Sequence, residues 1–332
     1  NKALMGQVSL LLLDEVHFVG DERGAVLEAI VSRMAAVQRD ADTVAAQWPA
    51  VSLRTVALSA TLPNVHSMSQ WLSAKHVLQF GDEYRPVPLR VSVLGFGNTR
   101  AGKEFLHEQG LNKRVFGVIQ EHSMGKPSLV FCPTRRGTHA VAKQLCLDSR
   151  LAAGGGGSSF VTSAQHQQQL TEAAQQCSDP NLRECIAQGV GFHTAGLSAS
   201  DRGVVERAFR GGMLSALATT TTLSQGVNLP AHLVVVKSTM QWKGSARGGY
   251  QQYDLSTVLQ MIGRAGRPQY DDSGAAVIMT ETQTKDLYQR MSSGALSVQS
   301  FLKASLVEYL NTEVALGTVQ SLQQALQWLQ TT

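Results

Sequence analysis

Residues 8–17 read Val8-Ser9-Leu10-Leu11-Leu12-Leu13-Asp14-Glu15-Val16-His17, a short apolar run that stops on two carboxylates. Such a run is too short for an independent helix and reads as a fully buried strand of a parallel sheet. An Asp at the C-terminal end of that strand stands where parallel sheets bind ligands, and it can hold Mg²⁺ through water. Glu15 beside it can orient and deprotonate a water attacking a phosphate. Taken alone, the four letters D-E-x-H fit an ordinary acidic loop equally well, so the rest of the chain has to decide.

Downstream, Leu27, Ile30, Val31 and Met34 recur at helical spacing and make one apolar face. Thr55–Leu58 reads as a second strand running into Ser59-Ala60-Thr61, and Val87–Leu94 is a third apolar stretch. From Ser128 the pattern restarts, with Leu129-Val130-Phe131 as a strand and Thr138–Leu147 as a helix. Residues 152–176 open AAGGGGSS and continue rich in glutamine, which predicts a flexible, solvated insertion. Ser198 and, three residues on, Asp201 predict a capping box for a helix carrying Val204, Val205, Ala208 and Phe209 and closed by Gly211-Gly212. Leu214–Ala218, Leu233–Val236 and Ala275–Met279 are further strands, and Leu302, Leu306 and Leu310 lie along one face of a late helix. Strands alternating with helices predict an α/β protein with parallel sheets.

The chain has 332 residues, 43% apolar and 16% charged, which suits two globular domains and excludes disorder and collagen. Its longest apolar runs fall far short of the roughly 20 residues of a membrane helix, so no membrane partner is expected. Net charge is 29 − 25 = +4 with a pI near 8.9, which permits a polyanionic partner without requiring one. Cys132, Cys146, Cys177 and Cys185 form no CxxC pair and read as reduced intracellular thiols. The chain starts at Asn1 without a leader, and we expect a fragment.

Further short segments follow in order. They are Phe131-Cys132-Pro133-Thr134-Arg135, His193-Thr194-Ala195-Gly196-Leu197, Thr222 through Pro230 (TLSQGVNLP), and Gln260 through Arg267 (QMIGRAGR). Each alone admits a structural role, the glycines as turn formers and the arginines as surface cations. Together with the acidic box they resemble a superfamily 2 DExH helicase from about Leu11 to Thr280. Within that superfamily the chain is most similar to the group of archaeal repair, spliceosomal unwinding and meiotic crossover helicases, and to the meiotic members above all. The stretches DERGAVLEAIVSRM (21–34), ALSATLPN (57–64), GVNLPAHLVVVKSTM (226–240) and QMIGRAGRPQYD (260–271) carry the likeness.

The resemblance implies an architecture of two RecA-like parallel-sheet domains, the first incomplete, followed by the start of a winged-helix domain. The expected spans are residues 1–105, 110–290 and 291–332. It implies ATP and Mg²⁺ as cofactors, with Asp14 (the metal ligand, through water), Glu15, His17, Gln260, Arg264 and Arg267 as catalytic residues. Ser59, Thr61, Gly226 and Asn228 would couple the nucleotide to the nucleic-acid path. Thr134, Arg135, His193, Gly196, Thr222 and Trp242 would contact nucleic acid, chiefly its phosphates, because a stepping motor cannot depend on base identity. For His193 a satisfied structural histidine is nearly as good a reading. Trp242, Lys243, Arg247, Tyr250 and Tyr253 occupy the segment that forms a duplex-splitting hairpin in related helicases, and an ordinary surface loop is the alternative.

The phosphate-cradling GxxxxGK[ST] of such motors is missing upstream of the acidic box. Gly97 through Lys103 imitates it, but Glu104 stands where a hydroxyl should meet Mg²⁺. The first-domain remnant is expected to expose a sheet edge and to be weakly stable. The second should fold by itself and be cut first near residues 152–159. The function implied is a 3′-to-5′ DNA helicase of meiotic recombination in the nucleus, acting on single strands and duplex junctions and nearly inactive as this chain alone. Spliceosomal-type RNA remodelling and a non-catalytic binding module are the alternatives.

Overall fold

The structure, a computed structural model, describes residues 7–21, 23–44, 52–60, 62–97, 103–221, 229–244 and 249–332. The chain divides into two compact units, Asn1–Phe80 with Ser293–Thr332, and Gly81–Ser292.

In the first unit, β1 (Leu10–Leu13) and β2 (Arg54–Ala57) pair in parallel, Leu10 opposite Arg54 and Leu13 opposite Ala57. The long helix α1 (Gly24–Val44) supplies the crossover that a parallel pair requires. β1 is not fully buried as expected: Leu13 is buried, whereas Leu10 and Leu12 are 47% and 68% exposed. Successive strand residues face opposite ways, and one face alone is covered. Leu11 and Leu13 turn toward Val16, Val19, Leu27 and Val31, with Met68 and Trp71 of α2 (Val65–Trp71) closing the cluster. Ile30, expected on the same helix face, is 41% exposed.

Two late helices, α10 (Leu302–Ala315) and α11 (Leu322–Leu329), belong to this unit. Leu302, Val319 and Trp328 enclose Ala25 of α1, with Leu306 and Leu310 packed alongside as their spacing predicts. Arg33 pairs with the buried Glu313, and Asn64 clamps Val298 by donating to its carbonyl (2.8 Å) and accepting from its amide (3.0 Å). Residues 293–332 therefore pack as apolar cover for α1, where a separate third domain was expected.

The second unit contains β3 (Leu89–Gly95), β4 (Ser128–Cys132), β5 (Val190–His193), β6 (Ala216–Thr220), β7 (Leu233–Val236), β8 (Met240–Trp242), β9 (Tyr250–Gln252) and β10 (Gly274–Thr280). All but β8 and β9 form a parallel sheet ordered β3-β10-β7-β4-β6-β5. Its helices are α3 (Glu104–His122), α4 (Arg135–Ala152), α5 (Ala164–Gln175), α6 (Pro180–Ile186), α7 (Ala199–Arg210), α8 (Leu255–Ile262) and α9 (Lys285–Ser292). β4 to β7 are buried along their whole lengths, the mark of a sheet covered on both faces.

Three expectations change here. The apolar stretch Val87–Leu94, assigned to the first domain, pairs as β3 with β10 from Leu89 opposite Gly274 to Gly95 opposite Thr280, so the second unit starts at Gly81 and not near residue 110. The glycine- and glutamine-rich insertion is only in part a solvated loop, with residues 152–157 exposed. Gly154, Gly155 and Gly157 take positive φ in a turn after α4, and the buried Ser158 then donates to Gln188 O (2.8 Å) and meets Ser149 Oγ (3.0 Å). The glutamines form α5, which buries Leu170, Ala173 and Ala174. Finally, only half of the capping box forms. Ser198 accepts from the Asp201 amide (3.0 Å), but the Asp201 carboxylate turns instead to the Ser178 amide and hydroxyl and the Asp179 amide. Burial works against that carboxylate, yet these donors hold its pKa below the usual range.

Candidate functional site

In the first unit, β1 delivers Asp14 to an exposed strand end with Glu15 next to it. Glu15 sits in the left-handed region (φ 56°, ψ 47°), a conformation that costs a residue with a Cβ about 1–2 kcal/mol. That sharp turn is sewn down: Val16 N donates to Leu58 O (2.9 Å) and Leu58 N to Leu13 O (2.8 Å). His17 is buried, and its Nδ1 accepts from the Ala60 amide (3.2 Å) while lying 3.3 Å from Glu15 Oε2. Burial lowers the His17 pKa against the pull of Glu15, Asp21 and Asp14, and the neutral ring keeps a lone pair for that amide. One imidazole thus joins the acidic box to the Ser59-Ala60 segment, with Ser59 exposed beside it. Thr61 lies outside the described residues.

No cluster of three or more His, Cys, Asp or Glu able to hold a metal occurs among the described residues. Asp14, a solvent-facing carboxylate at a strand end, suits Mg²⁺, which keeps most of its waters and takes one or two protein oxygens.

In the second unit, Gln260 lies on α8, its Oε1 buried without a partner among the described residues. The turn that follows is zipped to the segment before β7: Ala231 N donates to Arg264 O (3.1 Å) and Gly266 N to Ala231 O (2.7 Å). Gly266 has φ +87°, and a Cβ there would stand 2.7 Å from Val87 Cγ1, so only glycine fits. Arg264 is partly exposed at the start of this turn.

Arg267 departs from expectation. Its guanidinium is engaged by Asp271, Nε to Oδ2 at 2.9 Å and NH2 to Oδ1 at 3.1 Å, and its own amide donates to the same carboxylate (3.1 Å). Lys126 Nζ (3.2 Å) and the buried His232 Nδ1 (3.5 Å) complete the group around Asp271. Burial would raise the Asp271 pKa, but the Arg267 and Lys126 donors hold it far below the ordinary carboxylate range. Asp271 was not among the expected site residues, although its place four positions after Arg267 was the available signal.

Of the expected nucleic-acid contacts, Thr134 caps α4 by accepting from Gly137 N (2.9 Å), Arg135 is exposed, and Gly196 is exposed in the loop after β5. His193 is 6% exposed with Nε2 2.9 Å from Glu206 Oε1, while its Nδ1 is buried without a partner among the described residues. Thr222, Gly226 and Asn228 lie outside the described residues, as do residues 98–102 of the imitation loop and Arg247.

The aromatic segment does form a hairpin. β8 and β9 pair antiparallel with Trp242 opposite Tyr250, and the two rings meet edge-on at 5.1 Å. Trp242 remains 48% exposed. Beneath the hairpin is a polar group that no local pattern announced. Lys237, 0% exposed, donates to Glu108 Oε1 (3.0 Å) and Asn112 Oδ1 (2.6 Å), and Tyr250 OH donates to Glu108 Oε2 (3.2 Å).

Residues 170–269 match the helicase conserved C-terminal domain. The chain is 42% identical, over 97% of its length, to "ATP-dependent DNA helicase MER3 homolog" of Oryza sativa subsp. japonica, of which it covers 26%. It is 42% identical over 100% of its length to "Probable ATP-dependent DNA helicase HFM1" of Xenopus tropicalis, covering 24%. Against "ATP-dependent DNA helicase MER3" of Saccharomyces cerevisiae the identity is 36% over 98% of the chain, which covers 25% of that protein. The chain thus spans about a quarter of the length of these relatives.

Proposed function

We propose, for a chain that is a superfamily 2 DExH helicase segment similar to the meiotic crossover DNA helicases, that it supplies part of an ATP-driven motor that unwinds DNA. In the full-length protein Asp14 would hold Mg²⁺ through water, and Glu15 orients the attacking water and takes its proton. Held there, Mg²⁺ would supply neutralisation of phosphate charge. His17 keeps Glu15 and the Ser59-Ala60 segment in register, so that Ser59 and Thr61 pass the nucleotide state onward together with Gly226 and Asn228. Gln260 and Arg264 address the γ-phosphate, joined by Arg267 once it leaves Asp271. Thr134, Arg135, Gly196 and Thr222 track phosphates of the single strand, and Trp242 on the hairpin meets the first unpaired base. Translocation runs 3′ to 5′, and the setting is meiotic recombination in the nucleus. The chain alone hydrolyses ATP slowly or not at all, because its sequence holds no GxxxxGK[ST] cradle.

The observation that supports this reading best is the Ala60 amide bond to His17 Nδ1, which ties the acidic box to the segment expected to relay its state. Phosphate release by the full-length protein, with and without single-stranded DNA, tests it. Glu15→Gln should abolish hydrolysis, and His17→Ala should keep basal turnover but lose most of the stimulation by DNA. Near-normal turnover by Glu15→Gln would refute the assignment.

A further inference from the structure

Helices α4 and α6 pack against each other in the second unit, and each brings one cysteine to the contact. The Cys146 and Cys185 thiols meet there and share a hydrogen bond. Both residues are buried, 4% and 2% exposed. They nevertheless line a cavity of about 310 Å³ whose remaining walls, Lys143, Leu147, Arg150 and Glu184, are exposed, so a small solute has a way in. The hydrogen bond from Cys146, against burial and Glu184 and with help from Lys143, holds the Cys185 pKa below the usual thiol range. Donating to its neighbour, together with burial, pushes the Cys146 thiol up. One sulfur of the pair is thus the nucleophile, and the other keeps its proton. Cys132 and Cys177 are placed differently. Neither lines this cavity, each gives its S–H to a backbone carbonyl, Val130 O at 3.9 Å and Ala173 O at 3.7 Å, and burial pushes each up to about 11.

We propose that Cys146 and Cys185 form a peroxide-sensitive modification site that closes reversibly to a disulfide. The Cys185 thiolate attacks one oxygen of hydrogen peroxide. The O–O bond breaks, hydroxide leaves and takes up the proton that Cys185 released, and the sulfur, oxidised by two electrons, becomes a sulfenic acid. The Cys146 sulfur then attacks it: the S–S bond forms, the S–O bond breaks, and the hydroxyl leaves as water with the Cys146 proton. Two thiols and one peroxide give one disulfide and two waters, and a small-thiol reductant reverses the bond by exchange. The closed loop holds the turn after α4 and all of α5. None of the groups assigned above to nucleotide or DNA takes part.

Peptide mapping of the full chain after brief hydrogen peroxide treatment, with the remaining thiols alkylated, tests this. Trypsin places Cys146 on residues 144–150 and Cys185 on residues 184–202, so the expected product is these two peptides joined, and dithiothreitol should part them. Cys132 and Cys177 should be oxidised at least about tenfold more slowly, in keeping with their smaller thiolate fraction. Cys146→Ser should leave the sulfenic acid on Cys185 to be trapped by dimedone, whereas Cys185→Ser should leave Cys146 reduced. The same treatment in urea should scatter oxidation over all four cysteines. Absence of the joined peptide from the folded wild type, pairs through Cys132 or Cys177 in equal yield, or an undiminished preference in urea would overturn the proposal, whether or not the serine variants fold.

Discussion

Lys237→Met removes the cation from the buried group under the hairpin. The ammonium is 0% exposed and serves Glu108 at 3.0 Å and Asn112 at 2.6 Å, while Glu108 itself is 7% exposed. With the cation gone, Glu108 keeps one donor, the Tyr250 hydroxyl at 3.2 Å. Stranding one member of a buried pair costs roughly 3–5 kcal/mol, because an uncompensated charge is left out of water. Met fills nearly the same volume, so the cavity contribution is small. Glu108 borders a cavity under the hairpin, where water can reach it, which places the expected loss near the lower figure, about 3 kcal/mol. Adding Glu108→Gln removes the stranded charge and should restore stability to within about 1 kcal/mol of the parent. Hydrogen exchange of the β4 and β7 amides across a urea series reads both values. A loss below about 1 kcal/mol for the single variant, or a double variant that is worse still, would refute this account of the buried charge.

Glu15→Gly relieves the left-handed backbone at residue 15, and should leave the first unit as stable as the parent or up to about 1 kcal/mol more so, by urea unfolding, while destroying catalysis. A clear loss of stability would show that the Glu15 side chain contributes more than its backbone costs. Because burial lowers the His17 pKa, the unfolded chain takes up that proton first; the stability tied to the neutral ring is complete above about pH 6.5 and declines as pH falls toward the folded value. Protection of the Ala60 amide should therefore drop on acidification, and His17→Asn should flatten the profile; an unchanged slope in that variant would exclude His17 as the group responsible. Ser158→Ala unties the turn after α4 at the cost of about 1–3 kcal/mol of local stability, so limited proteolysis near residues 152–159 should quicken severalfold while the parent resists; equal rates would mean that the serine does not hold the turn.

The strands ending at Leu13 and Cys132, the helix opened by Ser198 and the glycine-bracketed turn around Gly266 were all legible in the sequence. Each depends on neighbours a few residues apart, through apolar period, cap chemistry or the need for positive φ. The motif residues were named through the family resemblance that these same local segments carry. Tertiary structure alone decided which apolar surface covers which. It set β3 against β10 in the second sheet, laid Leu302, Val319 and Trp328 over Ala25, and turned a glutamine-rich stretch that resembled a loop into a packed helix. It also paired Lys237 with Glu108, 129 positions apart, and set His193 against Glu206. A chain's pattern records that a face must leave water or that a charge needs a partner. Because burial is non-directional and a buried charge accepts any suitable counterpart, the partner is settled only when the whole unit packs.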